Sequence, residues 1–532
     1  MIYYYFKYYK IFNFFKKLNI SNSQQKYKNI ILVDFFDDYM HIYSYSLILS
    51  YLRKKYNANV EWFNFLPWLN FKKNFFYEPA NLLKYLFKLF FGNIKFLNLL
   101  YYSLGTKCGV SVKDFVKYED DANRISKRLF EKIKNKNDIY KIKIENFTIG
   151  NYIYQTYLRY NTEATVCIND LRLLEKIKEA ILIYFSFKNY LKKNKVKVLI
   201  VSHAFYNYWG LVANYASKNN VKVIRIKTTG WRKNTNFQIV KIYKELVEES
   251  FPYHLYKKIF DKFDLKNKFN NLKIGKKILL QRLKGKIDPQ LLGNISSYSN
   301  NKVNIKFDKK KENILVFANC FFDGPGRFKN FIFSDFYEWI IFTLDNAAKT
   351  NFQWYVKPHP KAQPGNSLIF NELIQKYKNN KNIIFLKKNI SNDILINLGF
   401  KSLFCHHGNA TAEFAFKKIP VVNCCENTMS DYNFFLKCNT KKDYLKAIKS
   451  ANKINLNINN KEIYEWVYMH FYHFLRRKEN RILSKNFENK NLHIHNPNSN
   501  NVRNKKIFNF LIGNYNNNFQ KVAINELIEN DI

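Results

Sequence analysis

Three short stretches combine groups that bind phosphate or move protons with backbone that is either stiff or free of a side chain. The first is Phe321-Phe-Asp-Gly-Pro-Gly-Arg327. Its glycines allow close backbone approach to a ligand, and Arg327 is the residue type that grips a phosphate through two parallel bonds. Asp323 serves there either as a polar ligand contact or as the cap of the turn. The second is Lys357-Pro-His-Pro360. Two prolines fix the backbone, so Lys357 and His359 lose little freedom on binding. A histidine held this way donates to a phosphate and stabilises charge that develops as the phosphate departs. The third is His406-His-Gly-Asn-Ala-Thr-Ala-Glu413. Gly408 permits a tight turn, Asn409 or Thr411 caps the following helix, and the first N–H groups of that helix suit an anion. Glu413, about one turn in, is positioned to accept hydrogen bonds from ribose hydroxyls. His406, His407 and His359 also raise a metal reading, but the carboxylates nearby have no recognised ligand spacing, so no metal is expected.

A second set lies in the N-terminal half. Asp34, Asp37 and Asp38 follow an apolar run, Asn29–Val33, and a carboxylate at such a strand end can act as a general base. His203 ends a similar run, Val201-Ser-His203, and is a further cleft candidate. His470 and His473 share one face of an aromatic helix and read as packing, and the His-Ile-His at 493–495 receives no role.

The elements that must position these groups alternate. Strand 29–33, helix 39–55 and strand 60–63 open an α/β unit, which resumes with strand 197–202, a helix to about 218 and strand 222–226. A second alternating series begins at Asn313–Ala318 and continues through strands 353–356, 383–386, 402–405 and 421–423. In open parallel sheets, ligands bind beyond the carboxyl ends of the strands, where the three stretches lie. The expected fold class is therefore α/β with two Rossmann-like lobes. The expected divisions are a basic aromatic segment (1–28), an N-terminal lobe (29–232) with a largely helical insertion over about 65–195, a helical linker (233–311), a C-terminal nucleotide-binding lobe (312–455), and a final helix with an Asn/Lys-rich tail (456–532).

Composition sets bounds on all of this. The chain has 532 residues, of which 47% are hydrophobic and 18% aromatic, enough for sizeable cores and against a wholly disordered chain. Its 88 Lys and Arg against 41 Asp and Glu give a net charge of +47, part of which reflects a bias toward Lys, Asn, Ile, Tyr and Phe together. No nucleic-acid-binding module is legible, so no specific nucleic acid is expected; attraction to an anionic membrane surface is the better reading of the charge. Lysines interrupt the apolar stretches at 1–20 and 81–105, which therefore read either as segments lying along a bilayer surface or as buried helices. The 7 cysteines form no CxxC pair, and a reducing cytoplasm is expected.

The run Trp354-Tyr-Val-Lys-Pro-His-Pro360, followed by 406–423 (HHGNATAEFAFKKIPVVN), resembles bacterial capsule and surface-polysaccharide biosynthesis proteins. Their kin include Kdo- and sialic-acid-transferring enzymes with a His-Pro motif and teichoic-acid glycerophosphotransferases that use CDP-glycerol. Residues 149–161, 201–210 and 333–340 are similar to further surface-carbohydrate proteins. The resemblance implies a two-lobed glycosyltransferase B (GT-B) fold and metal-independent, inverting transfer, without a cofactor, from a nucleotide-activated sugar, CMP- or UDP-linked, to a glycan or lipid-linked acceptor. It implies that His359 contacts the donor phosphate and helps the nucleotide leave, that Gly408–Thr411 bind phosphate and that Glu413 holds the ribose. Lys357, Asp323, Gly324, Arg327, His406 and His407, read from the three stretches themselves, complete the expected donor site. An acidic residue among Asp34, Asp37 and Asp38 would take the acceptor proton, although the relatives' acidic pair precedes Gly and Asp38 precedes Tyr39. The cysteine usage and the basic charge together give the expected location, a cytoplasmic protein, peripheral at the inner face of the membrane. The rival readings are transfer of glycerol phosphate from CDP-glycerol, epimerisation of a nucleotide sugar without acceptor, and a non-catalytic basic scaffold binding lipid or nucleic acid.

Overall fold

The computed structural model describes residues 27–35, 39–65, 106–229, 236–241, 253–284, 305, 307–308, 310–322, 324–359 and 365–473. Within them the short apolar runs form interior strands of two sheets, as residues covered on both faces must. The N-terminal lobe opens with β1 (Asn29–Asp34), α1 (Tyr39–Tyr56) and β2 (Ala58–Asn64). β3 (Lys107–Ser111) joins β2, and a 3-10 turn (Val112–Tyr118) leads into α2 (Glu119–Glu131) and α3 (Lys136–Tyr140). A small hairpin of β4 (Lys143–Ile144) and β5 (Phe147–Thr148) precedes α4 (Gly150–Asn161), α5 (Leu171–Lys193) and β6 (Lys195–Val201). A π-helical turn (Tyr206–Leu211), α6 (Val212–Lys218), β7 (Lys222–Thr229) and β8 (Asn236–Lys241) complete it. The sheet runs β3-β2-β1-β6-β7-β8 and is parallel except for β7–β8.

Helices α7 (Tyr256–Asp261) and α8 (Leu265–Leu283) lead to the C-terminal lobe. There β9 (Asn313–Phe317), α9 (Phe336–Ala347), β10 (Gln353–Lys357), α10 (Asn366–Tyr377) and β11 (Ile383–Phe385) form one half. The other half is α11 (Asn392–Asn397), β12 (Ser402–Cys405), α12 (Ala410–Phe416), β13 (Val421–Asn423), β14 (Leu436–Lys437), α13 (Lys441–Lys449) and α14 (Asn460–Tyr468). Its sheet runs β11-β10-β9-β12-β13-β14, all parallel. Setting the hairpin aside, both sheets have the 3-2-1-4-5-6 order of a doubly wound Rossmann-like sheet, and each reverses direction beside its first strand. The switch points are therefore β1/β6 and β9/β12.

Strand alternation divides the second core in two. Ile314, Val316, Trp354, Val356 and Phe404 face the layer of α9 and α10, with Trp339, Leu344 and Leu373. Leu315, Tyr355, Leu403 and Cys405 face the other layer, shared with Ile278 and Leu279 of α8 and Trp466 of α14. Helix α8 is thus part of the C-terminal lobe. At Gly275 it comes so near α14 that an added Cβ would stand 2.0 Å from the Tyr464 carbonyl oxygen.

Two expectations differ from the structure. The insertion read as helical contains β3, a strand of the main sheet, and the stretch read as helical linker contains β8. Both are edge strands with one neighbour, and edges carry less of the continuous apolar sequence that marks an interior strand. Among the described residues no helix is long and apolar enough to cross a membrane. The stretches 1–20 and 81–105 lie outside the described residues.

Candidate functional site

At the C-terminal switch point, the loops after β9 and β12 are joined by side chains. The Asn319 amide meets His406 Nδ1, and His407 Nδ1 lies 2.7 Å from the same atom. Phe328 lies against the His407 ring at 4.1 Å, tying the end of the first loop to the third. His406 is fully buried in a box of Phe328, Phe331, Phe336 and Trp339, so it builds the wall while His407 and Gly408 reach its partly open side. Gly408 has φ 135° with open space around its Cβ position, so the glycine is needed for the backbone turn. Asn409 stands at the N-cap of α12 without a side-chain bond to it. Thr411 is buried and accepts a long 3.4 Å contact from Asn423.

The second motif divides between outside and inside. β10 carries Lys357 into the interior, where Nζ donates 2.9 Å to Asn392 Oδ1 and lies 4.9 Å from the centre of the Phe317 ring. Burial pushes its pKa down to about 8, while the Glu413 carboxylate pulls the other way. His359, two residues on, is only half-buried at the strand's carboxyl end. Glu413 also points inward: Oε1 accepts from Arg282 Nη2 at 3.1 Å and Oε2 from Asn392 Nδ2 at 2.9 Å. Arg282, Glu413, Asn392 and Lys357 form one buried chain from α8 to the base of the KPHP motif. That is not the exposed ribose-facing position expected for Glu413, nor the phosphate-facing one expected for Lys357.

The loop after β9 turns through Gly324, at φ 57°, into a 3-10 turn, Pro325–Arg327. It meets the N-terminal lobe directly. Asn151 Nδ2 of α4 donates 2.9 Å to the Gly326 carbonyl, and Gln155 Oε1 lies 2.9 Å from where a Cβ on Gly324 would stand. Asp323, Asp37 and Asp38, and the Arg327 side chain, lie outside the described residues.

At the N-terminal switch point, Asp34 is fully buried at the end of β1. It accepts from the Tyr45 hydroxyl, from Ser202 N at 2.7 Å and from Ser202 Oγ. Ser202 Oγ in turn lies 3.0 Å from His203 Nδ1. Ser202 Oγ directs its own proton to Asp34 and can therefore accept from Nδ1–H; in that tautomer the basic lone pair of His203 lies on Nε2. Phe205 and Trp209 pack on the imidazole at 5.6 and 5.1 Å. Tyr206 follows in the left-handed region at φ 66° and starts a π-helical turn. Such strain costs about 1–3 kcal/mol, and it concentrates, as π-turns do, at functional sites. The Tyr206 hydroxyl lies 3.9 Å from the Cβ position of Gly324, so the carboxyl ends of the two sheets face one another. Among the described residues no cluster of His, Cys, Asp and Glu has metal-binding geometry.

Sequence reasoning missed Asn319, Ser202, Asn392 and Arg282. Ser202 directly follows β6 and Asn319 lies two residues past the end of β9, and that position is the one signal that marks them.

No family model matches the chain, and no curated protein does. Solved structures do. The beta Kdo 2,4 transferase KpsC of Thermosulfurimonas dismutans is similar over 51% of this chain and 79% of its own, at 12% identity and a TM-score of 0.34. The UDP-GlcNAc 2-epimerase of Methanocaldococcus jannaschii is similar over 84% of this chain and 99% of its own, at 11% identity and a TM-score of 0.24. The wall teichoic acid polymerase TagF is similar over 95% of both chains, at 12% identity and a TM-score of 0.21.

Proposed function

We propose that the chain is a transferase of the GT-B type that moves a sugar from a nucleotide-activated donor to a glycan or lipid-linked acceptor in surface-polysaccharide assembly. One observation carries the reading: two Rossmann-like lobes present their switch points to each other, with histidines at both. The C-terminal lobe holds the donor. His407, Gly408 and the glycine-containing turn after β9 surround its phosphates, and His359 donates to the phosphate that leaves. Lys357 supplies positive charge from below. On the acceptor side His203 Nε2 takes the hydroxyl proton, the acceptor oxygen bonds to the anomeric carbon, and the bond from that carbon to the phosphate oxygen breaks. Asp34 acts through Ser202 as a positioning residue. Metal-independence is part of this proposal, and so is a peripheral site at an anionic membrane surface, where the +47 net charge favours docking.

Thermal unfolding with CMP, CDP, UDP, GDP and CDP-glycerol tests it, with His359→Ala alongside. A nucleotide at 100 times its dissociation constant adds about 2.7 kcal/mol to stability. Selective stabilisation that weakens in His359→Ala is expected. A response confined to CDP-glycerol would replace the sugar by glycerol phosphate, and no response from folded protein would sink the reading.

A further inference from the structure

The N-terminal lobe has a second concave site, at the outer edge of its sheet and away from both switch points. A cavity of about 270 Å³ lies between β2 and β3 on one side and the C-terminal half of α5 on the other. Small-molecule sites start at roughly 300 Å³, so this one suits a ligand of monosaccharide size. Helix α5 supplies Ser186, Asn189, Tyr190 and Lys193, spaced to share one helical face, and the strands supply Glu61 and Lys107.

These groups are arranged in a way that packing alone does not require. The Glu61 carboxylate is buried, accepts 2.7 Å from the Tyr190 hydroxyl, and pairs at 3.0 Å with Lys107, whose side chain is 72% exposed. A charge is thereby drawn from the cavity wall to its mouth. Gly109 has no positive φ to explain it, yet a Cβ there would stand 2.6 Å from Glu61 Oε2 and 2.7 Å from Tyr190 Oη. Any side chain at 109 would intrude on those two polar groups. Asn189 both donates and accepts, and the Tyr190 hydroxyl, its proton on Glu61, can still accept, a set that ligand hydroxyls can answer. At the rim, Lys117 pairs with Asp114 at 3.6 Å, and Lys193 adds a further cation beyond the two lysine–carboxylate pairs.

We propose that this edge pocket binds a monosaccharide-sized polyol bearing one anionic group, a carboxylate or a phosphate. The hydroxyls meet Glu61, Asn189 and Tyr190, and the anion meets Lys193. The site is independent of the donor cleft and stands whether or not the transferase reading does.

Calorimetric titration of the full chain with glucuronate, glycerol 3-phosphate, glucose and inorganic phosphate tests it. One of the two anionic polyols binds, and which one names the anion; glucose binds about tenfold more weakly, the loss of roughly one charge-assisted bond. Lys193→Glu, an exposed change, weakens the anionic polyol at least tenfold. Asn189→Ala, a change at a partly exposed side chain, weakens it several-fold without lowering the melting temperature. Binding persists with CMP or UDP present. The proposal is overturned if neither anionic polyol binds, if inorganic phosphate binds as well as glycerol 3-phosphate, if a nucleotide displaces the ligand, or if neither variant alters affinity.

Discussion

Lys357 and His359 sit two residues apart and meet opposite surroundings, and their predicted behaviour differs accordingly. The Lys357 ammonium is enclosed, so the folded state holds its proton less tightly than the unfolded chain does. Stability relative to a variant without this amine therefore rises with pH between about 8 and 10.5. Lys357→Met is expected to fare best against wild type below that window and to lose roughly 3 kcal/mol of relative stability across it, from about 1.4 kcal/mol per pKa unit. Denaturant unfolding of both proteins through the window measures this, and parallel curves would mean an unshifted lysine. At the other switch point, His203→Gln is expected to lower turnover about 10²–10⁴-fold and to leave nucleotide-induced stabilisation intact, the reverse of His359→Ala. Equal loss of nucleotide binding in both variants would remove His203 from the acceptor side. The KPHP and His-His-Gly stretches were legible because Pro and Gly mark fixed backbone. Asn319, Ser202 and Arg282 were not, because a role such as the contact of Ser202 with Asp34, 168 residues away, leaves no local pattern.

Helix α12 is held to α8 by an ion pair with almost no exposure, 2% for Arg282 and 1% for Glu413. Two ions out of water cost several kcal/mol each, and their attraction with the Asn392 bond returns that cost without much surplus. Removing one partner leaves the other charged and alone. Glu413→Ala is expected to cost about 3–5 kcal/mol, while Arg282→Met with Glu413→Leu costs much less than the single change. A double-mutant cycle by chemical unfolding checks this; additive losses would mean that the two side chains do not interact. Legibility at this scale followed burial. β9, β10 and β12 were read nearly to the residue because layers on both faces demand apolar sequence throughout. The edge strand β3 (Lys-Cys-Gly-Val-Ser) leaves Lys107 and Cys108 exposed and carries no such run. A turn-rich stretch concealed the small hairpin of β4 and β5.

Between the lobes, the stretches 149–161 and 333–340, far apart in the chain, prove to be two sides of one junction. Asp335 is fully buried at the start of α9, and its Oδ1 accepts from Glu338 N at 2.7 Å as the helix cap. Its Oδ2 accepts from Tyr154 and Thr165 of the N-terminal lobe and lies 3.7 Å from Lys136. Tyr140 stacks on Tyr154 at 4.6 Å and donates to the Ser334 carbonyl at 2.5 Å. One carboxylate thus ends a helix in one lobe and anchors the other lobe, beside the loop that touches Asn151. The sequence displayed both stretches and nothing of their contact, since periodicity reports which face is buried and not against what. Because the two oxygens serve different lobes, their roles separate. Tyr154→Phe with Thr165→Val removes both hydrogen bonds to Oδ2, leaves it only Lys136 at 3.7 Å and spares the cap, so each lobe keeps its own stability, less about 1.5–3 kcal/mol for each lost bond to the carboxylate. The loss falls on coupling: calorimetry is expected to resolve two transitions where wild type gives one, with faster amide exchange in α4. Asp335→Ala removes both functions and adds about 1 kcal/mol for the lost cap. A single transition in the double variant, with α4 protected as in wild type, would mean that apolar packing rather than Asp335 fixes the two lobes.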